Sequence, residues 1–105
     1  MSRYEVVASD RFWLTAVALK PKYTHDQFAE IINAIKDAIR ELAEKGFVEE
    51  AGWSEHRLLK PPYADGCHFE FHTYDDDVLV VYFRRERKRV IRMIGIYDHV
   101  SLPSN

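Results

Sequence analysis

The chain has 105 residues, a length typical of one domain around one hydrophobic core, and we predict a single domain over residues 1–105. Hydrophobic residues make up 47% of the sequence and aromatic residues 13%, a composition that excludes a disordered chain. No apolar run is long enough to cross a bilayer, and the residues after Met1 do not resemble a signal peptide. With its single cysteine, Cys67, the chain is expected to be cytoplasmic, without a membrane partner.

The formal net charge of −2 is unusual for a protein that binds nucleic acid, because phosphate binding is chiefly electrostatic. The cations are nevertheless concentrated. Six of them lie within nine positions: Arg84, Arg85, Arg87, Lys88, Arg89 and Arg92. Such a patch can attract phosphate even on an acidic chain, although a solvated hairpin tip has the same composition.

The N-terminal part predicts a short strand followed by a helix. Residues 4–8 have strand character, and either Ser9 or Asp10 can cap a helix over residues 12–19. Pro21 is expected to end this helix, because proline lacks a backbone N–H and restricts the residue before it.

A second, longer helix is the firmest structural prediction. Thr24 and Gln27 have the spacing of a capping box, and Gly46 supplies a C-terminal stop. Between them the apolar residues recur at intervals of three and four: Phe28, Ile31, Ile32, Ile35, Ile39 and Leu42. This spacing is that of an amphipathic helix with one buried face.

The second half predicts strands. Residues 47–66 keep no period and contain turn residues, so we expect a loop there. Three strands joined by tight turns are expected at residues 67–74, 78–83 and 90–97. The predicted fold is α+β: an N-terminal strand, two helices, and a three-stranded antiparallel meander with the helices on one face.

Strand alternation places His68, Glu70 and His72 on one face, with about 7 Å between each residue and the next of the three. Phe69 and Phe71 lie on the other side, which faces the core. The polar triplet is therefore expected to face solvent or a cleft. Two imidazoles and a carboxylate on a rigid sheet suit proton transfer near neutral pH.

Other interpretations of the triplet stay open at this stage. Histidines occur on exposed strand faces without a function, and a His-x-Glu-x-His run can in principle bind metal. Zinc sites need three or four convergent ligands, however, and metal-binding histidines usually stand one helical turn apart, so we predict no metal. No glycine-rich phosphate loop is present, and no small-molecule cofactor is expected.

Four short segments, at residues 55–58, 67–70, 77–82 and 91–98, together resemble the RelE/ParE toxin superfamily, in its YafQ and RelE branch. Residues 55–58 resemble the His-x-Leu that opens the family's loop, and residues 67–70 its following strand with a catalytic histidine or lysine. Residues 77–82 resemble the family's stretch in which an acidic residue precedes an apolar run that ends in Tyr. Residues 91–98 are similar to the family's closing strand. Element order extends the resemblance over most of the chain.

The resemblance implies a type II toxin, held by a cognate antitoxin, that cleaves mRNA in the ribosomal A site without a metal. Attack by the 2′-OH on the adjacent phosphodiester needs a base, an acid and cations around the phosphorane. Two alternatives from the same superfamily are a gyrase inhibitor of the ParE kind and a degenerate homologue that only binds a partner.

Carried over by position, the resemblance implies acid–base roles for His56, His68 and Asp77, with His72 able to substitute for His68. Phosphate neutralisation is assigned to Arg92 together with Arg57 or Lys60; for Arg92 a structural ion pair is the alternative. Tyr97 stands where the YafQ pattern has histidine. Its phenol, with a reference pKa of about 10, is a weak proton shuttle, but it can donate to a basic leaving oxygen or stack on a base.

Overall fold

The computed structural model describes residues 3–49, 53–58, 66–73 and 78–98 and shows an α+β fold. Its elements are strand β1 (Glu5–Val7), helix α1 (Asp10–Leu14), a 3₁₀ helix (Thr15–Lys22), helix α2 (His25–Lys45) and strands β2 (Trp53–Arg57), β3 (His68–Thr73), β4 (Val78–Arg85) and β5 (Val90–Tyr97). The predicted fold class is confirmed.

One mixed sheet joins the strands in the order β1-β5-β4-β3-β2. Strands β2 to β5 form antiparallel neighbours, and β1 returns to pair in parallel with β5. The N-terminal strand therefore closes one edge of the sheet, beyond the last strand of the meander.

The first helix begins where the sequence indicates but does not keep one pitch. Ser9, rather than Asp10, is the cap: its side chain accepts a hydrogen bond from the backbone N–H of Phe12. The α-helix ends at Leu14 and tightens into a 3₁₀ helix that includes Pro21, so the prediction of one helix over residues 12–19 was wrong. At the change of pitch, the Thr15 hydroxyl donates to the Phe12 carbonyl and accepts from the backbone N–H of Ile96 on β5.

Helix α2 matches its prediction at both ends. The Thr24 backbone N–H donates to the Gln27 side chain at 2.9 Å, and the Gln27 backbone N–H donates to the Thr24 hydroxyl at 3.1 Å. Gly46 ends the helix with φ +85°, in the left-handed region that glycine adopts at little cost. The Tyr4 ring packs so closely on Gly46 that a Cβ there would lie 2.3 Å from a ring carbon.

The helices cover one face of the sheet, which we call the helix face. Its buried strand residues are Phe69, Phe71, Val78, Val80, Tyr82, Ile91, Met93 and Ile96. They pack against buried residues of the helices, among them Phe12, Leu19, Ile31, Ile35 and Leu42. We call the opposite face, which carries His68, Glu70 and His72, the histidine face.

One segment of the predicted 47–66 loop is a strand. β2 pairs with β3 from Trp53 to Arg57, and its register shifts between Trp53 and His56. This bulge places an extra residue in the strand, which explains why the sequence shows no period of two. Strand β4 also runs two residues further than predicted, to Arg85.

Candidate functional site

Strand β3 arranges its side chains as alternation predicts. Phe69 and Phe71 are buried on the helix face, while His68, Glu70 and His72 lie on the histidine face. The rigid β4 neighbour fixes this arrangement through six consecutive residue pairs along β3.

The triplet is less exposed than the sequence suggests. Glu70 is only 7% exposed, so the expectation that all three polar residues face solvent or a cleft was wrong for this carboxylate. Its neighbour in the register, Val81, is fully buried, and Leu58 packs against Val81 on the same side of the sheet. Glu70 Oε1 lies 3.5 Å from His72 Nε2, close enough to orient the imidazole and to form an ion pair when it is protonated.

One row of the histidine face joins His68, Phe83 and Arg92 across three strands. His68 pairs with Phe83, and Phe83 pairs with Arg92. The His68 and Phe83 rings lie 5.0 Å apart between centroids, at an angle of 57°. Two strand spacings put the backbones of His68 and Arg92 about 10 Å apart. The register thus places His68 and Arg92 on either side of Phe83.

The Arg92 end of this row opens into a cleft of about 400 Å³, lined by Phe83, Arg85, Lys88, Val90 and Arg92. The Arg85 guanidinium lies 5.9 Å from the Phe83 ring centroid. All three cations of the cleft are exposed. The cleft can therefore receive an anion, with the aromatic ring beside it and His68 next to the ring.

Tyr97 lies in a different row of the same face, with Leu79 between it and His72. The β4–β5 register shifts between Val81 and Tyr82, and the ring of Tyr97 folds back across Gly95. A Cβ on Gly95 would lie 2.3 Å from the Tyr97 hydroxyl oxygen. Glycine at this position therefore leaves room for the phenol over the strand.

The other residues implied by the resemblance divide between three places. The backbone of His56 pairs with Glu70 in the register. Arg57 pairs with Phe69, and its guanidinium lies 5.7 Å from that ring, on the opposite side of the sheet from Arg92. Lys60 and Asp77 lie outside the described residues. The sheet thus brings His68, His72, Tyr97 and Arg92 to one face and places Arg57 elsewhere.

Sequence reasoning did not assign Phe83, Arg85 and Lys88 to this site. The basic run was visible, but which of its members share a face with His68 depends on the register of two hairpins. That register places Phe83 opposite both His68 and Arg92.

Within the described ranges, no three His, Cys, Asp or Glu residues are arranged to hold a metal ion. None of the described helices is long and apolar enough to span a bilayer.

No protein-family model matches the chain, and no curated protein matches it. Among solved structures, the chain is similar to the solution structure of the conserved hypothetical protein HP0892 from Helicobacter pylori. The identity is 16%, the match covers 95% of this chain and 97% of that one, and the TM-score is 0.43.

Proposed function

We propose that the chain is the toxin of a toxin–antitoxin pair and cleaves mRNA in the ribosomal A site, in the cytoplasm. The observation that carries the proposal is the placement of His68, His72, Tyr97 and Arg92 on one face of the sheet, beside a cleft lined by cations. The resemblance of four sequence segments to the RelE/ParE toxins agrees with it.

The proposed reaction is an internal transfer. The ribose 2′-oxygen forms a bond to the adjacent phosphorus, the bond from phosphorus to the 5′-oxygen breaks, and the products are a 2′,3′-cyclic phosphate and a 5′-hydroxyl. A base takes the 2′-OH proton, an acid gives a proton to the departing 5′-oxygen, and cations stabilise the charge on the phosphorane. Imidazoles suit both proton steps near neutral pH.

Distances favour His68 over His72 as the histidine that acts on the phosphate. The two are four residues apart along β3, which is about 13 Å. Proton transfer needs contact within about 3 Å of the reacting oxygens, so both imidazoles do not readily reach one phosphodiester. His68 shares its row with Phe83 and Arg92, whereas His72 is next to the buried Glu70. We assign His68 to proton transfer and Arg92, with Arg85 and Lys88, to the phosphate.

His56 is the proposed second proton-transfer residue. Its backbone pairs with Glu70, which makes it the diagonal neighbour of His68 on the next strand. Diagonal neighbours on antiparallel strands lie about 7–8 Å apart. That separation fits two groups acting on the two ends of one phosphodiester. Tyr97 is assigned to contact with the RNA, and a cognate antitoxin is the proposed partner.

The test is cleavage of a defined mRNA on purified ribosomes, with the RNA ends identified by mass spectrometry. His68→Gln should lower the cleavage rate about 10²–10⁴-fold, the usual contribution of a general acid or base. His25→Gln is the matched control, because His25 is exposed at the start of α2, away from the site, and should keep full activity.

Full activity of His68→Gln in a folded protein would remove this residue from the mechanism. Inhibition of DNA gyrase without any mRNA cleavage would replace the nuclease by the ParE-like alternative. Cleavage products without a 2′,3′-cyclic phosphate would contradict the internal transfer.

A further inference from the structure

A second cleft lies at the same end of the sheet as the basic run, in front of the helix face. Its volume is about 440 Å³, and the residues that line it include Arg57, Phe69, Arg84, Arg85, Arg87 and Lys88. We call it the hairpin cleft. The cleft next to Arg92 is a different one, although Arg85 and Lys88 at the hairpin tip line both.

A layered stack of flat groups forms one wall of the hairpin cleft. The Phe69 ring stacks on Tyr82 with centroids 5.8 Å apart and an angle of 18°. The Arg84 guanidinium lies 4.1 Å from the Phe69 centroid, and the Arg57 guanidinium lies 5.7 Å from it. Arg84 is held in place, because Nη1 donates to the Gly46 carbonyl at 2.6 Å. The wall therefore presents one fixed planar cation, the Arg84 guanidinium, over the Phe69 ring.

The charge of the hairpin cleft is strongly positive, in contrast to the acidic chain. Glu86 is the one carboxylate among the described residues that line it. This carboxylate is already engaged, 2.8 Å from Arg84 Nε and as the acceptor of the Tyr4 hydroxyl at 3.1 Å. The other four cations of the cleft are exposed and form no ion pair with a carboxylate of the described segments: Arg57, Arg85, Arg87 and Lys88.

We propose that the hairpin cleft binds one nucleotide, with its phosphate among the exposed cations and its base against the guanidinium wall. Bases stack on arginine planes as they do on aromatic rings, and a guanidinium over Phe69 is a preformed surface of this kind. The volume lies within the range of small-ligand sites. The inference does not depend on RNA cleavage, since it concerns binding on the side of the sheet away from His68.

The nucleotide can come from two sources, a free mononucleotide or a segment of single-stranded RNA. The experiment titrates the ¹⁵N-labelled full chain with adenosine 5′-monophosphate, inorganic phosphate and a six-nucleotide oligoadenylate, and follows backbone amide shifts. We expect the monophosphate to shift the amides of Gly66, Phe69 and Arg87. Inorganic phosphate should bind at least tenfold more weakly, because it lacks the base.

The double variant Arg57→Gln/Arg87→Gln should weaken binding of the monophosphate at least tenfold, because both side chains line only the hairpin cleft. Arg40→Gln is the matched control with the same chemistry on helix α2, outside both clefts, and it should bind normally. Retained amide dispersion shows that each variant is folded.

An oligoadenylate affinity at least tenfold above that of the monophosphate identifies RNA as the source, and equal affinities identify the free nucleotide. Equal binding of inorganic phosphate and the monophosphate would overturn the nucleotide assignment, as would shifts of the Gly66 and Phe69 amides that persist in the double variant. Because no ribosome is present, these results are independent of whether His68→Gln abolishes cleavage.

Discussion

The packing of the Tyr97 ring on Gly95, on the histidine face, gives a prediction that can be worked out in numbers. Alanine at position 95 would place its Cβ 2.3 Å from the Tyr97 hydroxyl oxygen and 2.4 Å from the carbon that bears it. Neither distance is possible for real atoms, so the end of the Tyr97 ring must move away from position 95. Gly95→Ala is therefore expected to destabilise the protein by displacing Tyr97.

The magnitude follows from two opposing effects. Overpacking of this kind costs about 1–3 kcal/mol. Without the ring, alanine at this strand position should make the protein more stable than glycine does by roughly 0.5–1 kcal/mol, because alanine has less conformational freedom than glycine in the unfolded chain. Gly95→Ala should therefore destabilise the wild-type protein but stabilise the Tyr97→Ala variant, with a coupling energy of about 2 kcal/mol.

The assay is urea denaturation of the four members of this cycle, followed by circular dichroism. A coupling energy of about 2 kcal/mol lies well above the additivity error of distant sites, which is about 0.3–0.5 kcal/mol. Equal effects of Gly95→Ala in both backgrounds would refute the packing of Tyr97 on Gly95. The same cycle carries a functional readout, since Gly95→Ala should impair RNA cleavage as much as Tyr97→Ala does.

Three further predictions concern the scaffold. Gly46→Ala should lower the free energy of unfolding by about 3 kcal/mol, because φ is positive and the new Cβ would clash with Tyr4. Gly66 has nearly the same φ but open space around it, so Gly66→Ala should cost only about 1 kcal/mol. Thermal unfolding measures both, and equal losses would contradict the clash. Thr24→Ala should lose about 1 kcal/mol of stability with the capping box; an unchanged urea midpoint would argue against the cap. Burial and the hydrogen bond to Glu86 raise the pKa of Tyr4 above its ordinary value of 10.0. The stability that the neutral phenol contributes is therefore fully present below pH 10 and is lost as the pH rises through the folded-state pKa. Tyr4→Phe should not show this loss of stability at alkaline pH, and a pH profile identical to that of the wild type would refute the prediction.

Local sequence signals predicted those parts of the fold that depend on near neighbours. The capping box at Thr24, the stop at Gly46 and the alternation of β3 all involve contacts within a few residues, and all three are confirmed. Hydrophobic burial on one side of each element then places the helices on the face that carries Phe71 and Tyr82.

Features set by distant partners were not predictable in the same way. β2 lacks alternation because of its bulge, and its partner β3 stands ten residues or more away in the sequence. Glu70 looks exposed by alternation, but it is buried opposite Val81. Arg57 and Arg92 were grouped by resemblance, whereas the β2–β3 and β4–β5 registers place them on opposite sides of the sheet.

The distribution of charge resolves the apparent conflict between an acidic chain and an anionic ligand. Six of the 15 Lys and Arg residues lie between positions 84 and 92, with only one of the 17 acidic residues. Strand alternation turns Arg84 to the helix face, while Arg85 and Lys88 at the hairpin tip line the clefts on both sides. Exposed charges further apart than a Debye length, about 8 Å at physiological ionic strength, are largely screened from one another. An anion at the hairpin therefore responds to the local cations, and acidic residues on α2 can keep the net charge negative without weakening the site.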